Sequence, residues 1–553
     1  MKKYIYNNVQ LLIAAALTMS GAFSSCRDHD FDFDEHRYGT QEQIYNKTFT
    51  DTFGEIDPEH TWIPFVDANV TVSVSQPSDI KVFDCNGQLV AHREDVSGTQ
   101  TIEFDVPRGE NNIIVLQNDI YAVEAMVGES VSFEGTRAQR YPSKDGVTIN
   151  YPDEYRTDIV VKSDINYIRG TLLPNNSDNR NKAGLTKDFS FVSNGGTFTI
   201  YPVYWNTGAT LECGVYYRDS KGDLVHVPFY MNKDGNDRLQ GYINGVIDKS
   251  WKTIADDYDD TFYGKTNAGI KLEFERFRTR GIEITLEEGV AFGLYLRQPN
   301  QSSPNDQKYF HSKKEDNTCG DVHAVQFTYN GKEYFSFEDW DNTKFSLNDI
   351  IFTIENKPRV LDYGAVGFTM AFEDMGSIGD FDFNDVVLQV ERAENQRYGT
   401  VTLAAAGATY YIEVLYKGNV IDWGGGAKEV HEAFGVDRKT MVNTGKGEYL
   451  QPKVKENFDF GNTSITRSDI AKNFSLRVYT GDPEDPDTQN YNIIQIPNTT
   501  EGVAPQGFVV NNVRWSWPNE RQSILDKYPT FLNWVQNQQN THWYEPESPI
   551  GGN

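Results

Sequence analysis

An acidic loop lies between two apolar runs within residues 371–390, and its composition limits what this part of the chain can form. Asp380, Asp382 and Asn384 alternate with phenylalanines, a spacing that lets one tight loop aim alternate side chains at a single point. Five carboxylates so close together repel one another unless a cation lies among them. The loop therefore predicts a cation site formed by Glu373, Asp374, Asp380, Asp382, Asn384 and Asp385.

Calcium is the cation that this loop favours, because it takes roughly six to eight hard oxygen ligands in flexible geometry. No His or Cys lies in the loop, which makes zinc and copper poor candidates. The Glu and Gly that an EF-hand requires are missing, and the apolar run 386–390 is typical of a strand rather than a helix. We expect a structural Ca²⁺ in a loop of a β-domain. The alternative is a solvated acidic turn.

A weaker copy of the pattern lies upstream, in residues 337–354. Both copies begin Phe-Glu-Asp and end in an Asn-Asp pair, and the polar residues of the upstream copy are Glu338, Asp339, Asn348 and Asp349. When the copies are aligned on the Asn-Asp pair, Ser346 takes the position of Asp382, and Lys344 takes that of Asp380. We expect the metal site of the upstream copy to be degraded or absent, with the Lys344 ammonium in place of the ion.

These two copies carry a resemblance to a known family. FEDMGSIGDFDFNDVV resembles the opening of the LruC-type domain of Gram-negative surface lipoproteins, and FEDWDNTKFSLNDIIF is similar to the end of a β-domain of unknown function that often precedes it. EVHEAFG, MVNTG, WSWPNE and YPTFLNW resemble the same LruC-type domain, and FGEIDPEHTW resembles the mature start of such lipoproteins. The resemblance implies a surface lipoprotein, but it brings no established activity or ligand.

The N-terminus predicts a secretory signal in residues 1–25. Two lysines precede an apolar run that is too short to span a bilayer as a mature helix. The run Ala-Phe-Ser-Ser before Cys26 resembles a bacterial lipobox, which implies a lipid on Cys26 and an outer-membrane anchor. The alternative is ordinary cleavage beside a stray cysteine. Residues 26–60 are predicted as an acidic tether, and the acids after Cys26 resemble signals that place lipoproteins on the cell exterior.

The excess of acidic residues limits the kinds of molecule that the chain can bind. The 553 residues include 80 acidic and 51 basic ones, so non-specific binding of nucleic acid is excluded. Beyond Cys26, the three cysteines Cys85, Cys213 and Cys319 are widely spaced, which argues against a disulfide framework. Aromatic residues make up 13% of the chain, which favours β-structure and allows stacking on glycans or peptides.

The hydrophobic pattern predicts an all-β chain of tandem β-sandwich domains. We expect a small sandwich at 61–135, a linker at 136–159, a second sandwich at 160–357 and an LruC-type domain at 358–553. A few short helices are expected, mainly near the C-terminus, at 428–434, at 518–528 and again from Phe531. We expect the large apolar side chains of this region to pack in the core: Trp515, Trp517, Ile524, Tyr528, Phe531 and Trp534.

Two functions remain open. The first is a cell-surface lipoprotein with calcium-stabilised β-sandwiches that serves adhesion or binds a host protein or glycan. The second is a glycan-active enzyme, or an accessory binding subunit, of a nutrient-uptake system. No motif favours an enzyme, because His431-Glu432 lacks the second His of H-E-x-x-H and neither G-x-S-x-G nor a phosphate loop is present. We therefore expect no catalytic residue.

Replacing Cys26 by Ala should either release a soluble protein or trap the precursor, because the lipid would lose its attachment point. Membrane fractionation and the mass of the intact chain measure both outcomes. Unchanged fractionation together with an unchanged mass would show that Cys26 carries no lipid.

Overall fold

A computed structural model gives the fold, and it describes residues 40–133, 146–159, 161–180, 182, 184–205, 210–231, 239–243, 246–253, 278–299, 309–340, 345–374, 378–394, 396–481, 490–496 and 503–544. The architecture in these ranges is mostly β, with several antiparallel sheets and six short α-helices. The predicted fold class is therefore confirmed. No helix within these ranges has both the length and the apolar character needed to cross a membrane. Cys26 and Lys344 lie outside the described residues.

The chain enters the fold through an α-helix, α1 (Gln41–Phe53). Thr40 caps its N-terminus in a capping box with Gln43. Tyr45, Phe49 and Phe53 recur every four residues, so they form one apolar stripe. This stripe is buried in the same core as the C-terminal residues of the chain. Residues 41–53 of the predicted tether therefore form a folded helix. The sequence does not indicate this clearly, because most residues of the helix are polar.

The first unit is a five-stranded sheet built on one long hairpin. Its strands are β1 (Phe65–Phe83), β2 (Leu89–Pro107), β3 (Asn112–Gln117), β4 (Tyr121–Met126) and β5 (Ser130–Ser132). The order is β2-β1-β3-β4, with β5 parallel to β1. The long hairpin shifts register after Val74, and such irregularities bend a sheet so that it can wrap its own core.

The second unit contains two facing sheets. Its elements are β6 (Val147–Asn150), α2 (Lys162–Tyr167), β7 (Phe189–Val192), β8 (Thr197–Trp205), β9 (Glu212–Arg218), β10 (Leu224–Met231), β11 (Gln240–Ile243), β12 (Val246–Lys252), β13 (Ile282–Leu286), β14 (Ala291–Arg297), β15 (Tyr309–His311), β16 (Ala324–Tyr329), β17 (Lys332–Phe337), β18 (Ile350–Glu355) and β19 (Arg359–Asp362). One sheet has the order β16-β17-β18-β8-β13-β6, and the other β12-β11-β10-β9-β14-β7-β19 with β15 beside β14. Two of these strands differ from the sequence prediction: β6 comes from the expected linker, and β19 lies beyond the expected seam at 358.

The third unit is a second pair of sheets. Its elements are β20 (Val366–Phe372), β21 (Val386–Arg392), β22 (Tyr398–Ala406), β23 (Tyr411–Tyr416), β24 (Asn419–Val420), α3 (Val430–Phe434), β25 (Lys453–Asp459), α4 (Arg467–Lys472), β26 (Phe474–Tyr479), β27 (Tyr491–Gln495), β28 (Gly507–Val510), α5 (Ile524–Lys527) and α6 (Phe531–Gln536). The sheets have the orders β25-β22-β21-β20-β28 and β24-β23-β26-β27.

The predicted C-terminal helices are present but shorter. Helix α3 ends at Gly435 in the left-handed conformation, as predicted for its C-terminus. Helix α5 occupies only the end of the range 518–528, because residues 518–524 run along the acidic loop as described below. The predicted packing is confirmed: Trp515, Ile524, Phe531 and Trp534 are buried, while Trp517 and Tyr528 are partly buried against the same core.

The second and third units are built on the same strand order. The order β28-β20-β21-β22-β25 matches β16-β17-β18-β8-β13, and β27-β26-β23-β24 matches β15-β14-β9-β10. The equivalent hairpins are β17–β18 and β20–β21, and each carries one copy of the acidic pattern. The sequence repeat thus marks equivalent turns of two equivalent sandwiches. The hairpin comes near the end of the second unit, just before β19, and it opens the third unit.

Buried ion pairs join the first unit to the other two. Asp105 of β2 accepts from Arg467 Nε of α4 at 2.6 Å, and both side chains are nearly inaccessible. On the other side, Asp119 lies 2.7 Å from Lys81 and 2.8 Å from Lys313 of the second unit. Burial alone would raise the pKa of Asp119, but these two ammonium groups hold it well below its usual range.

Replacing Arg467 by Ala should lower the free energy of unfolding by about 3–5 kcal/mol, because Asp105 would remain as a buried, unpaired carboxylate. Urea unfolding followed by tryptophan fluorescence measures the change. Arg397→Ala is the matched control, since it removes an exposed pair with Asp459 and should change little. Equal losses for the two variants would show that the buried pair does not hold the units together.

Candidate cation site

In the downstream copy, two carboxylates close the turn between β20 and β21. Glu373 Oε1 accepts a hydrogen bond from the Phe383 backbone N–H at 2.6 Å. Asp385 Oδ2 accepts from the Asp374 backbone N–H at 2.7 Å. Glu373 is buried and Asp385 is partly buried, and both carboxylates bind the backbone of the loop. They define the shape of the turn from inside.

The phenylalanines of the loop anchor it in the core. Phe381 packs edge-on against Tyr45, Phe49 and Phe53 of α1, with ring centroids 5.2–5.5 Å apart. Phe383 lies 4.7 Å from Phe508. Phe381 and Phe383 both have positive φ, at 46° and 50°, a conformation that is strained for a bulky residue. The packing of the two phenylalanines therefore fixes the backbone conformation of Asp380 and Asp382 beside them.

Three carboxylates converge beside this anchor. Asp380 and Asp382 from the loop, together with Glu520 from the segment after β28, each offer an oxygen atom within 4.8 Å of the other two. Asp382 Oδ2 also accepts from the Arg521 backbone N–H at 2.6 Å. Asp380 Oδ1 is buried and has no hydrogen-bond partner within the described part of the chain. The cluster has the oxygen donors and the negative charge that a hard cation requires.

The structure distributes the six predicted ligands over different contacts. It brings Asp380 and Asp382 together, while Glu373 and Asp385 bind backbone N–H groups as described above. Burial is the main cause that raises the pKa of Glu520, and Asp374 lies close enough to raise it further. Asn384 is fully buried, its Nδ2 donates to Pro518 O at 3.2 Å, and its Oδ1 has no partner among the described residues.

Sequence reasoning missed Glu520. Its place after a proline indicated the first turn of a helix, where acidic residues are favoured, and nothing local in the sequence links it to a loop so far upstream. The strand order of the third unit was needed, because it places the chain after β28 beside the β20–β21 turn.

Burial and mutual repulsion make these carboxyls unusually weak acids. Burial, then the charges of Glu520 and Asp374, raise the pKa of Asp380 to about 7. Burial, then Asp380 and Glu520, raise the pKa of Asp382 to about 8. The pKa values of Glu373 and Asp385 are also raised, first by burial and then by neighbouring carboxylates. The site must therefore be neutralised, either by protons or by a cation.

The upstream copy repeats the backbone contacts. Glu338 Oε2 accepts from the Leu347 N–H at 3.0 Å, and Asp349 Oδ2 accepts from the Asp339 N–H at 2.8 Å. Leu347 has a φ of 54°, like Phe383 at the equivalent position. The carboxylates of Glu338, Asp339 and Asp349 lie within 4.8 Å of one another. However, Ser346 Oγ donates a hydrogen bond to Glu338 Oε2 at 3.1 Å. The upstream copy thus has a hydroxyl donor at the position where the downstream copy has the carboxylate of Asp382.

Each turn also binds a remote segment in the same way. Residues 173–179 lie against the upstream turn, and residues 518–524 lie against the downstream one. Asn179 N donates to Phe345 O at 2.8 Å, and Ile524 N donates to Phe381 O at 2.9 Å. The carbonyls at the start of the segments, Leu173 O and Pro518 O, accept from the Asn side chain of the turn they face. In both segments the fourth residue is left-handed, with φ of 59° at Asn176 and 62° at Arg521.

The correspondence identifies the residue that replaces Glu520 upstream. Counting along the two segments places Asn175 at the position of Glu520. Asn175 Oδ1 accepts from Asn348 Nδ2 at 2.8 Å, so a neutral amide pair stands there. The two carboxylates whose upstream counterparts are described, Asp382 and Glu520, are thus replaced by Ser346 and Asn175. The scaffold is shared, and the downstream copy carries acids at two positions where the upstream copy has neutral side chains.

Other residues singled out in the sequence take structural positions. His431 is fully buried in α3, where its Nδ1 lies 2.9 Å from Glu429 Oε1. Cys85, Cys213 and Cys319 are free thiols.

Comparison with known proteins adds one finding. A family described as a domain of unknown function (DUF4842) matches residues 461–544. This range contains Glu520, whereas Asp380 and Asp382 lie outside it. No curated protein and no solved structure matches the chain. The expected uncharacterised domain at the C-terminus is therefore supported at the coarser level of a domain of unknown function.

With chelator present, the melting temperature should fall as the pH rises from about 5 to about 8.5. The raised pKa values mean that the folded state binds protons at Asp380 and Asp382 more tightly than the unfolded chain does. That stabilisation is complete below the ordinary aspartate pKa and is lost as the pH rises through about 7 and 8. Calorimetric melting curves across this range measure the slope.

Asp382→Asn should flatten that slope, because it removes one of the titrating groups while keeping its size. Glu456→Gln, on an exposed position of β25, should leave the slope as in the original chain. If the melting temperature in chelator is constant or rises over this pH range, Asp380 and Asp382 do not bind protons more tightly in the folded state.

Proposed function

We propose that the chain is a lipid-anchored surface protein of the outer membrane, whose third unit is locked by a structural Ca²⁺ and which serves adhesion or ligand binding at the cell exterior. The anchor is the lipid on Cys26. The ligand is a host protein or a glycan, and the chain has no catalytic role. Its third unit is an LruC-type domain.

One observation carries the calcium part of the proposal. Asp380, Asp382 and Glu520 converge on one point, whereas the equivalent upstream turn keeps the same backbone contacts with Ser346 and Asn175 in place of two of these acids. The backbone of such a turn therefore forms without acids at the positions of Asp382 and Glu520. Three carboxylates that are buried or partly buried cost folding free energy through desolvation and repulsion unless a cation or protons neutralise them.

The choice of Ca²⁺ rests on the donor set. The buried oxygen donors here are carboxylates, together with the amide oxygen of Asn384, and no His or Cys belongs to the cluster. Hard oxygen ligands in an irregular arrangement suit calcium better than the strict octahedron of magnesium. Asp380, Asp382 and Glu520 would hold the ion, with Glu373, Asp374, Asn384 and Asp385 around them.

The surface location is supported by the sequence. The signal-like N-terminus, the cysteine after it and the acidic run beyond are the features of a lipoprotein exported to the cell surface. A net charge of −29 suits a soluble ectodomain in a medium that contains calcium. The resemblance to LruC-type surface lipoproteins implies the same location, while the match at the C-terminus names a domain of unknown function.

Calcium should raise the melting temperature of the full chain, and chelator should lower it. A ligand that binds only the native state adds about 2.7 kcal/mol of stability at a hundredfold excess over its dissociation constant. Differential scanning calorimetry with calcium or chelator at pH 7.5 measures the shift. The full chain is needed, because α1 completes the core of the third unit.

Asp382→Ser and Glu520→Asn, which install the described upstream residues, should each remove most of the calcium-dependent shift and leave the fold intact. Glu456→Gln is the matched control and should keep the full shift. If calcium and chelator give the same melting temperature in the original chain, the loop is a polar turn neutralised by protons, and the calcium proposal is wrong.

A further inference from the structure

A groove of about 830 Å³ lies between the first and second units. One wall is formed by the β1–β2 turn and by strand β4. The other wall is formed by the turns before β8 and β14 and by the connection between β18 and β19. The volume is within the range of ligand-binding pockets, and such pockets occur preferentially at boundaries between domains.

The groove is held open by a rigid base. Ala122 N of β4 donates to Gly289 O at 2.8 Å, and Asp362 N of β19 donates to Gly87 O at 2.7 Å, so backbone hydrogen bonds join the walls at both ends. A separate apolar cluster, which includes Phe83, Leu116 and Leu361, lies between the two units. The groove is therefore preformed, as binding sites usually are.

The charges along the walls disfavour an anionic ligand. Both basic side chains are engaged: Lys357 pairs with Glu333, and Arg359 lies 3.9 Å from Glu124 while it donates to the Cys85 carbonyl. The acidic residues outnumber these two, and Glu288 has no ion pair or hydrogen bond within the described residues. An approaching carboxylate or sulfate would thus meet excess negative charge.

The remaining polar groups suit hydroxyl groups. The side chains of Glu288, Asn86 and Tyr121 line the groove, and none makes a hydrogen bond to another described residue. A carboxylate accepts two hydroxyl donors, an amide both donates and accepts, and a phenol provides an aromatic face beside a hydroxyl. This combination matches a chain of neutral sugars.

An extended peptide fits the groove less well. A peptide would add to the free edge of β4, but two N–H groups along this strand are already engaged. Ala122 N–H donates across the groove to Gly289 O, and Met126 N–H donates to Glu129 Oε2 at 2.9 Å. Too little of the edge remains for a ladder of backbone hydrogen bonds, which is the source of affinity in strand addition.

We propose that this groove binds a neutral oligosaccharide, with Glu288 and Asn86 as hydrogen-bonding residues. The proposal rests on the proposed ligand-binding function and names the class of ligand. It is independent of the cation site, which lies in the third unit.

Affinity electrophoresis of the full chain tests the proposal, in native gels that contain mixed-linkage β-glucan, galactomannan or pullulan. Polygalacturonate and heparin are the anionic comparison, and casein is the extended-peptide comparison. We expect retardation by at least one neutral polysaccharide and by none of the others. Glu288→Ala with Asn86→Ala should weaken that binding at least tenfold. Glu456→Ala, an exposed acid in the third unit, should leave it unchanged.

Three results would overturn the proposal: no retardation by any neutral polysaccharide, retardation only by the anionic polymers or casein, or binding that the double variant leaves unchanged. Both replaced side chains are exposed and make no hydrogen bond among the described residues, so the melting temperature of the double variant should match that of the original chain. The calcium-dependent melting shift is measured on the same samples. A calcium-dependent shift without binding of a polysaccharide would show that the groove proposal is wrong and that the calcium proposal still holds.

Discussion

Everything at the candidate site depends on the hydrogen bond from the Phe383 backbone N–H to the Glu373 carboxylate. This contact folds the chain back on itself between two strands and sets a bulky residue in the left-handed region. Its energetic cost is offset because the phenylalanines of the turn enter an aromatic core that the N-terminal helix completes. The acids between the phenylalanines have little freedom left, so their repulsion must be relieved by something bound rather than by movement.

Comparison of the two equivalent turns distinguishes the carboxylates that shape the turn from those available to bind a ligand. Glu338 and Asp349 repeat the contacts of Glu373 and Asp385, which assigns these four carboxylates to the shape of the turn. Of the charges that remain, Asp339 and Asp374 are common to both copies, whereas those of Asp382 and Glu520 are specific to the downstream one. A remote segment lies against each turn with the same backbone pattern, and that segment supplies either Asn175 or Glu520. A cation bound downstream would therefore tie the C-terminal region, where the domain of unknown function matches, to the first hairpin of its unit.

Much of this could be predicted from the sequence, because its signals are local. The hydrophobic pattern indicated the sandwiches, and the spacing of Asp380 and Asp382 indicated that they would converge. Contacts between distant segments left no such signal. Tyr45, Phe49 and Phe53 look like a weak stripe in a polar tether, and their shared partner Phe381 lies more than three hundred residues away in the chain. Glu520 resembles an ordinary helix start, and Val147–Asn150 resembles a linker until its partner strand, Ile282–Leu286, is known.

The most direct measurement is a crystal structure of the full chain grown with calcium, with anomalous data collected to locate the ion. We expect one calcium peak among Asp380, Asp382 and Glu520, with oxygen atoms at about 2.3–2.6 Å, and no peak at the upstream turn. Carboxylates paired through protons with no ion between them, or an ion bound equally at Glu338, Asp339 and Asp349, would contradict this account.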